Sequence, residues 1–160
     1  MRLPLQTLVE REQDSLYRAA FSMCGNRMDA EDAVQEAFVQ YYMSKKEFES
    51  ETHIHAWLLR VAINRAKNIS RSFWRRNKCS LEEEILALSF ADEDDRSLFE
   101  AVMALPEKYR VVIHLFYYED YAVREIAQIL KLSESNVKTR LSRGRNMLRQ
   151  SLKEAWEDDE

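Results

Sequence analysis

Arg60, Asn64, Lys67, Arg71 and Arg75 follow one another at intervals of 4, 3, 4 and 4 residues. On a helix that spacing gathers the cations and one amide into a single stripe, a geometry suited to a phosphate backbone. Asn68 adds a second amide that both donates and accepts hydrogen bonds. A further concentration lies at residues 135–143, where Ser135, Asn136, Lys138, Thr139, Arg140, Ser142 and Arg143 alternate with the apolar Val137 and Leu141. Side chains of these types match the donors and acceptors of base edges and phosphates in a major groove. Both patterns point to nucleic-acid binding, at two separate surfaces.

Catalytic chemistry finds less support. His53 and His55 stand two residues apart, His114 is isolated, and Cys24 and Cys79 form no CxxC pair, so the spacing predicts no metal site and no cofactor. Carboxylates occur in runs without an accompanying nucleophile, which argues against an enzyme. Only two glycines and two prolines occur in 160 residues, so a dinucleotide-binding turn, a P-loop and a nucleophile elbow are all excluded. Tight β-hairpin turns are excluded by the same shortage, and the fold class is predicted to be all-α.

Helices must carry both patterns. Leu5, Leu8, Val9, Leu16, Ala20 and Met23 recur at helical spacing, and Gly25-Asn26 closes that helix. Asp29 reads as the N-cap of a second helix with Ala33, Val34, Ala37, Phe38 and Tyr41 inward and Glu31, Asp32, Gln35 and Glu36 on the opposite face. Lys45 to His53 reads as a loop with one exposed aromatic, Phe48. From Ile54 a long helix places Ile54, Trp57, Leu58, Val61, Ala62 and Ile69 inward and the basic stripe outward. Beyond Leu105-Pro106-Glu107 a helix runs through Tyr118 to a break at Glu119-Asp120. Ile126, Ala127 and Leu130 then form the inner face of one helix, Lys131-Leu132 turns, and Ser133 caps another whose Val137, Leu141 and Leu148 face inward. That is helix-turn-helix spacing, with Leu132 plugging the turn.

The net charge of −4 is unevenly spread: +6 over residues 51–78, −7 over 79–108 and +4 over 109–152. Leu81 to Asp95 holds seven carboxylates in fifteen residues, too much like charge for a packed core, and reads as a linker or a loosely attached short helix. The expected organisation is therefore two small helical domains, 1–76 and 96–153, joined by an acidic linker at 77–95 and followed by an acidic tail at 154–160. No apolar run is long enough to cross a bilayer, which predicts no direct membrane insertion. Two distant cysteines without a signal peptide suit a reducing, cytoplasmic setting.

The strings DAEDAVQEAFVQYY, HAWLLRVAINRAKN and ALPEKYRVVIHLFYYEDYAVREIAQILKLSESNVKTRLSRGRNML, in that order over nearly the whole chain, resemble the extracytoplasmic-function (ECF) sigma factors of the sigma-70 family. The resemblance implies a non-catalytic factor that binds core RNA polymerase, directs it to promoter DNA and helps melt the duplex. It makes residues 1–76 sigma domain 2 and residues 96–153 sigma domain 4. It places Asp32, Gln35 and Glu36 on the polymerase clamp helices. It sets Ser44, Phe48 and Asn64 around a flipped base of the −10 element, and Arg60, Lys67, Asn68 and Arg71 along the same element. It assigns Asn136, Lys138, Thr139, Arg140, Ser142 and Arg143 to reading the −35 element. An anti-sigma factor is the further partner it implies. Many relatives carry Phe-Arg-Gly where this chain has Phe48-Glu49-Ser50, and some carry an aromatic at the position of Ser142. From the residues alone a rival stands: a free-standing helix-turn-helix regulator with an N-terminal dimerisation domain, which has no need of the stripe that begins at Arg60.

Overall fold

A computed structural model describes the backbone of residues 1–73 and 93–158 and the side chains of 1–69 and 96–154. The expected acidic linker lies outside these residues save for its last three, as do Arg75, Cys79 and the side chain of Arg71. Among the described residues every regular element is helical. The chain divides into two compact units, Met1–Ser80 and Leu81–Glu160.

The first unit packs α1 (Leu5–Cys24), α2 (Arg27–Met43) and α3 (Glu51–Phe73) against one another. Gly25 ends α1 in the left-handed region at φ 72°, where a side chain would be strained, and its N–H donates to the Phe21 carbonyl at 2.8 Å. The N-cap of α2 is Asn26 rather than Asp29. The Asn26 Oδ1 accepts the Asp29 N–H at 2.9 Å and its Nδ2 donates to the Asp29 carboxylate at 2.7 Å. Asp29 thus occupies the third helical position, where a carboxylate both completes the cap and meets the positive end of the helix dipole. Ala19, Ala30, Ala33, Ala37, Ala62 and Ala66 are all buried and let the helices approach, while Leu8, Leu16, Met23, Ile54, Leu58 and Leu59 fill the space between them. Each of the large side chains contributes about 1.5–3 kcal/mol by leaving water.

The loop ahead of α3 is shorter than its sequence suggests. Ser50 accepts the His53 N–H on its Oγ at 3.1 Å and the Ile54 N–H on its carbonyl at 3.1 Å, so the helix begins at Glu51. Phe48 is not exposed but buried, at 3%. Its ring lies 5.8 Å from that of Tyr41, 5.1 Å from His53 and 5.6 Å from Trp57. Arg2 straps this cluster from outside: it donates to the carbonyls of Tyr41 and Lys46, each at 2.7 Å, and lies 4.3 Å above the Tyr41 ring. A polar loop hides an aromatic here because three rings from α2 and α3 offer it more apolar contact than solvent does.

The second unit contains α4 (Glu93–Met103), which the sequence reading did not mark as a helix. It continues with α5 (Glu107–Ile113), a π-helical turn (His114–Tyr118), α6 (Val123–Leu130) and α7 (Glu134–Asp158). The π turn brings the Glu119 N–H onto the His114 carbonyl, and Asp120 just beyond it has φ 57°. Its buried His114 lies 3.3 Å from Glu119 Oε1 without hydrogen-bond alignment and stacks on Tyr118. Between α6 and α7, Lys131 adopts the left-handed conformation and the Leu132 N–H closes on the Ala127 carbonyl at 2.9 Å. Ser133 caps α7 by accepting the Asn136 N–H at 3.0 Å. Ile126, Ala127, Ile129, Val137 and Leu141 are buried together with Val112, Ile113 and Leu115; Leu130, Leu132 and Leu148 are only half-buried. Ile129, not Leu130, supplies the third inward position of α6. Gly144 marks the closest crossing, where an added Cβ would stand 3.1 Å from Ile113 Cγ1.

Candidate nucleic-acid and docking surfaces

The 23-residue α3 leans its apolar side on α1 and α2, and this fixes where its polar side points. Asn64 and Asn68 are exposed, and Arg60 and Lys67 are half-buried on the same side of the helix. Long cations set half-buried beside exposed amides suit a phosphate path. Ser44, at the C-cap of α2, donates its N–H to the Gln40 carbonyl and accepts the Lys46 N–H on its Oγ at 3.0 Å. Ser44 and Asn64 therefore reach the surface while the Phe48 ring faces the interior. Arg65 escaped the sequence reading. It lies beside the stripe and pairs across to α2, with Nη2 at 3.3 Å from Asp32 Oδ2. An ion pair between residues 33 positions apart leaves no local signal. His55 of α3 and Glu12 of α1 form a second pair between helices, also unmarked in the sequence.

On α2, Glu31, Asp32 and Gln35 are exposed, and Glu36 is half-buried with the Gln40 amide donating to it at 3.1 Å. Apolar side chains stand on the same side: Val39 is exposed, Tyr42 is 70% exposed and Met43 73%. Beside them a groove of about 620 Å³ opens between α1 and α2, lined by Leu5, Val9, Tyr17, Val34, Phe38 and Tyr42, with Asp14 and Glu31 also on its walls. Val34 and Phe38 thus lie partly on a groove wall rather than wholly inside the core. An apolar cleft edged by carboxylates accepts a helix that is apolar on one face and basic at its margins. The signal for it was present in the sequence, since Val39, Tyr42 and Met43 interrupt an otherwise polar face.

The second unit holds its outward side chains at the start of α7. Lys138, Thr139, Ser142 and Arg143 are exposed, and Asn136 and Arg140 are half-buried. Arg140 Nε donates to Asn136 Oδ1 at 3.1 Å, so one turn of helix pre-orients its guanidinium. Thr139 instead spends its hydroxyl on the Ser135 carbonyl at 3.0 Å. Two tyrosines outside α7 hold two of its arginines. Arg145 Nη1 donates to the Tyr117 hydroxyl at 3.1 Å. Beside Arg143, desolvation raises the pKa of the Tyr109 hydroxyl, but the Arg143 hydrogen bond and the charges of Lys108 and Arg143 outweigh it and hold that pKa below the usual value. Neither tyrosine was singled out in the sequence. Arg71 lies on α3, with its side chain outside the described residues.

Among the described residues no group of three or more His, Cys, Asp or Glu is placed to hold a metal, and no helix is long and apolar enough to cross a membrane.

Two family matches fall on the two units. Residues 8–78 match Sigma-70 region 2, and residues 95–148 match Sigma-70, region 4. The ECF RNA polymerase sigma factor SigW of Bacillus subtilis is 31% identical over 92% of this chain and 88% of its own. The RNA polymerase sigma factor SigV of the same organism is 32% identical over 92% of this chain and 90% of its own. Among solved structures, the sigma factor RpoE of Bartonella quintana, crystallised with the anti-sigma factor NepR, superposes with a TM-score of 0.73. It covers 92% of this chain and 96% of its own at 21% identity, and so speaks for the fold alone. With both sigma regions present in order and full-length relatives above 30% identity, the chain belongs to the ECF sigma factors of the sigma-70 family, the promoter-specific factors of transcription initiation.

Proposed function

We propose that the chain divides promoter recognition between its units and its polymerase contact onto α2. Arg60, Asn64, Lys67, Asn68 and Arg71 on α3 follow the −10 element. Ser44 and Asn64 frame the place of one unstacked base, with Phe48 beneath as a packed floor rather than as a stacking face. Asn136, Lys138, Arg140, Ser142 and Arg143 at the start of α7 read the −35 element, and Thr139 meets the backbone. Asp32, Gln35 and Glu36, continued by Val39, Tyr42 and Met43, dock on core RNA polymerase.

The observation that carries this reading is the placement of the outward cations and amides. Asn64, Lys67 and Asn68 recur with Arg60 along one side of α3, Lys138, Thr139, Arg140, Ser142 and Arg143 cluster at the start of α7, and a mixed acidic and apolar face occurs on α2. Phosphate contacts supply salt-dependent affinity, and capture of an extruded base offsets an unstacking cost of a few kcal/mol. The chain itself performs no chemical step and acts in the cytoplasm beside the polymerase. An anti-sigma factor, of the kind that holds RpoE in the related complex, is the remaining partner in this reading.

Charge reversal tests the dock. Asp32→Lys with Glu36→Lys is expected to abolish co-purification with core polymerase while unfolding stability moves by no more than about 0.5 kcal/mol, as for other exposed-face changes. Undiminished association of that variant removes α2 as the dock.

A further inference from the structure

An ion pair joins the α2 and α3 faces. Asp32 Oδ2 accepts from both Nε and Nη2 of Arg65 at 3.3 Å, and the two side chains remain half exposed, at 51% and 47%. Arg65 neighbours Asn64 in sequence and precedes Asn68 by one helical turn, and both asparagines are exposed. Asp32 meanwhile stands on the face assigned above to polymerase. We infer that Arg65 is a phosphate-binding residue of the −10 surface that Asp32 holds out of use in the free chain, and that polymerase releases it by taking Asp32. This inference rests on the polymerase and DNA readings of the two helices.

The chemistry of the pair dictates the exchange. The Nε and Nη2 hydrogens that face Asp32 form the edge of the guanidinium that suits a phosphate oxygen pair, so the same edge does not serve both anions at once. A pair this exposed is weak and opens without a large penalty when another cation approaches the carboxylate. Before exchange there is one ion pair; afterwards there are two, Asp32 with a polymerase cation and Arg65 with a phosphate. Because linkage is reciprocal, DNA seated on Arg65 also frees Asp32 for polymerase. The contact thus couples the two binding events, by at most the modest strength of an exposed pair.

A cycle of variants tests it without polymerase. Binding of the isolated full-length chain to a short labelled duplex oligonucleotide is measured across a salt series for the native chain, Asp32→Asn, Arg65→Gln and the double variant. Asp32→Asn is expected to tighten binding by about two- to fivefold, the range set by an exposed pair. It is also expected to steepen the salt slope by about 0.9, the mark of one added phosphate contact on duplex DNA. Arg65→Gln alone is expected to weaken binding here by less than about twofold, because the pair already withholds most of that contact, and the double variant to lose both gains. In complex with core polymerase, Arg65→Gln is expected to flatten the salt slope of promoter binding by about 0.9, and Arg65→Lys to keep it. A gain that survives in the double variant marks mere loss of acidic repulsion and overturns the inference, as do equal slopes of the native and Arg65→Gln complexes. Co-purification of Asp32→Asn with core polymerase is scored separately: undiminished association removes Asp32 from the dock, while the duplex series still decides whether Asp32 restrains Arg65.

Discussion

The two units set up their surfaces by different means. In Met1–Ser80 three helices of 20, 17 and 23 residues hold the DNA and docking faces through contacts between residues far apart in sequence, such as Arg2 with Lys46, Tyr41 with Leu3 and Arg65 with Asp32. In Leu81–Glu160 the outward side chains sit on one helix whose placement depends on a left-handed Lys131, a Ser133 cap and an eight-residue α6. A surface built from distant contacts responds as a whole, so binding on one face is felt on another. A surface built from a local motif is closer to a rigid reader, in which each side chain is tuned by its immediate neighbours. Substitutions in the first unit should therefore spread their effects between faces, and those among the outward side chains of α7 should stay where they are made.

The largest effect is expected at Phe48. Replacing this buried aromatic with alanine removes a ring that three others surround, at a cost of about 3–5 kcal/mol. Because the loop and the start of α3 rest on it, Phe48→Ala is expected to lower transcription equally from duplex promoters and from templates already mismatched at the −10 element. Asn64→Ala, at an exposed position, is expected to leave unfolding stability nearly unchanged and to be rescued by the mismatch. Denaturant unfolding together with permanganate footprinting on both templates checks the pair. Rescue of Phe48→Ala by the mismatch, with stability intact, would make Phe48 a base contact instead of a floor.

Much of this difference was written in the sequence, though unevenly. Most of the inward residues of α1 and α2 and the helix-turn-helix were legible because apolar periodicity and caps are local signals, whereas in α3 Leu59 and Ile63 are buried and Trp57, Val61 and Ile69, expected inward, are only half-buried. Phe48 was misread because burial of a loop residue depends on rings that come from Tyr41, His53 and Trp57. Asn26 and Asp29 are both good N-caps, and the left-handed Gly25 sets the earlier one at the start of α2. Ile129 displaced Leu130 because an eight-residue helix is too short for its stripe to fix a direction to better than one residue. The Asp32–Arg65 pair and the tyrosine supports of Arg143 and Arg145 had no sequence signature at all.

An intermediate effect is expected at the crossing of α5 and α7. Glycine inside a helix ordinarily costs about 1 kcal/mol relative to alanine, so its presence at position 144 marks a demand for space. An added Cβ would meet Ile113 Cγ1 at 3.1 Å and Tyr109 Cβ at 3.5 Å. Gly144→Val, with two further methyl groups, is expected to destabilise the second unit by about 1–3 kcal/mol and to weaken −35 binding with it. Trimming the opposing side chain by Ile113→Val is expected to restore part of the loss, because the two changes share one contact. Unfolding and promoter-binding measurements on the single and double variants check this. Strict additivity would mean that the crossing is not the constraint.

The smallest effect separates a reader from its support. Arg143 is exposed on α7 and, with Lys108, keeps the pKa of the Tyr109 hydroxyl below its ordinary value against the opposing effect of desolvation. If Arg143 reads a base, Arg143→Ala is expected to cost about 1–3 kcal/mol at one position of the −35 element and to leave the preferences elsewhere unchanged. Tyr109→Phe keeps the ring and removes only the hydroxyl, so the guanidinium remains but loses one restraint on its direction. That variant is expected to relax preference at the same single position, by less than Arg143→Ala, without altering the salt slope. Combining the two is expected to add nothing to Arg143→Ala, since the hydroxyl acts only through the arginine. A library of −35 sequences bound by the native and variant complexes measures all three. Relaxed preference at a different position would show that Tyr109 supports the helix rather than Arg143. Uniform weakening at every sequence, with a flatter salt slope, would make Arg143 a phosphate contact and leave base reading to Arg140, which Asn136 already orients.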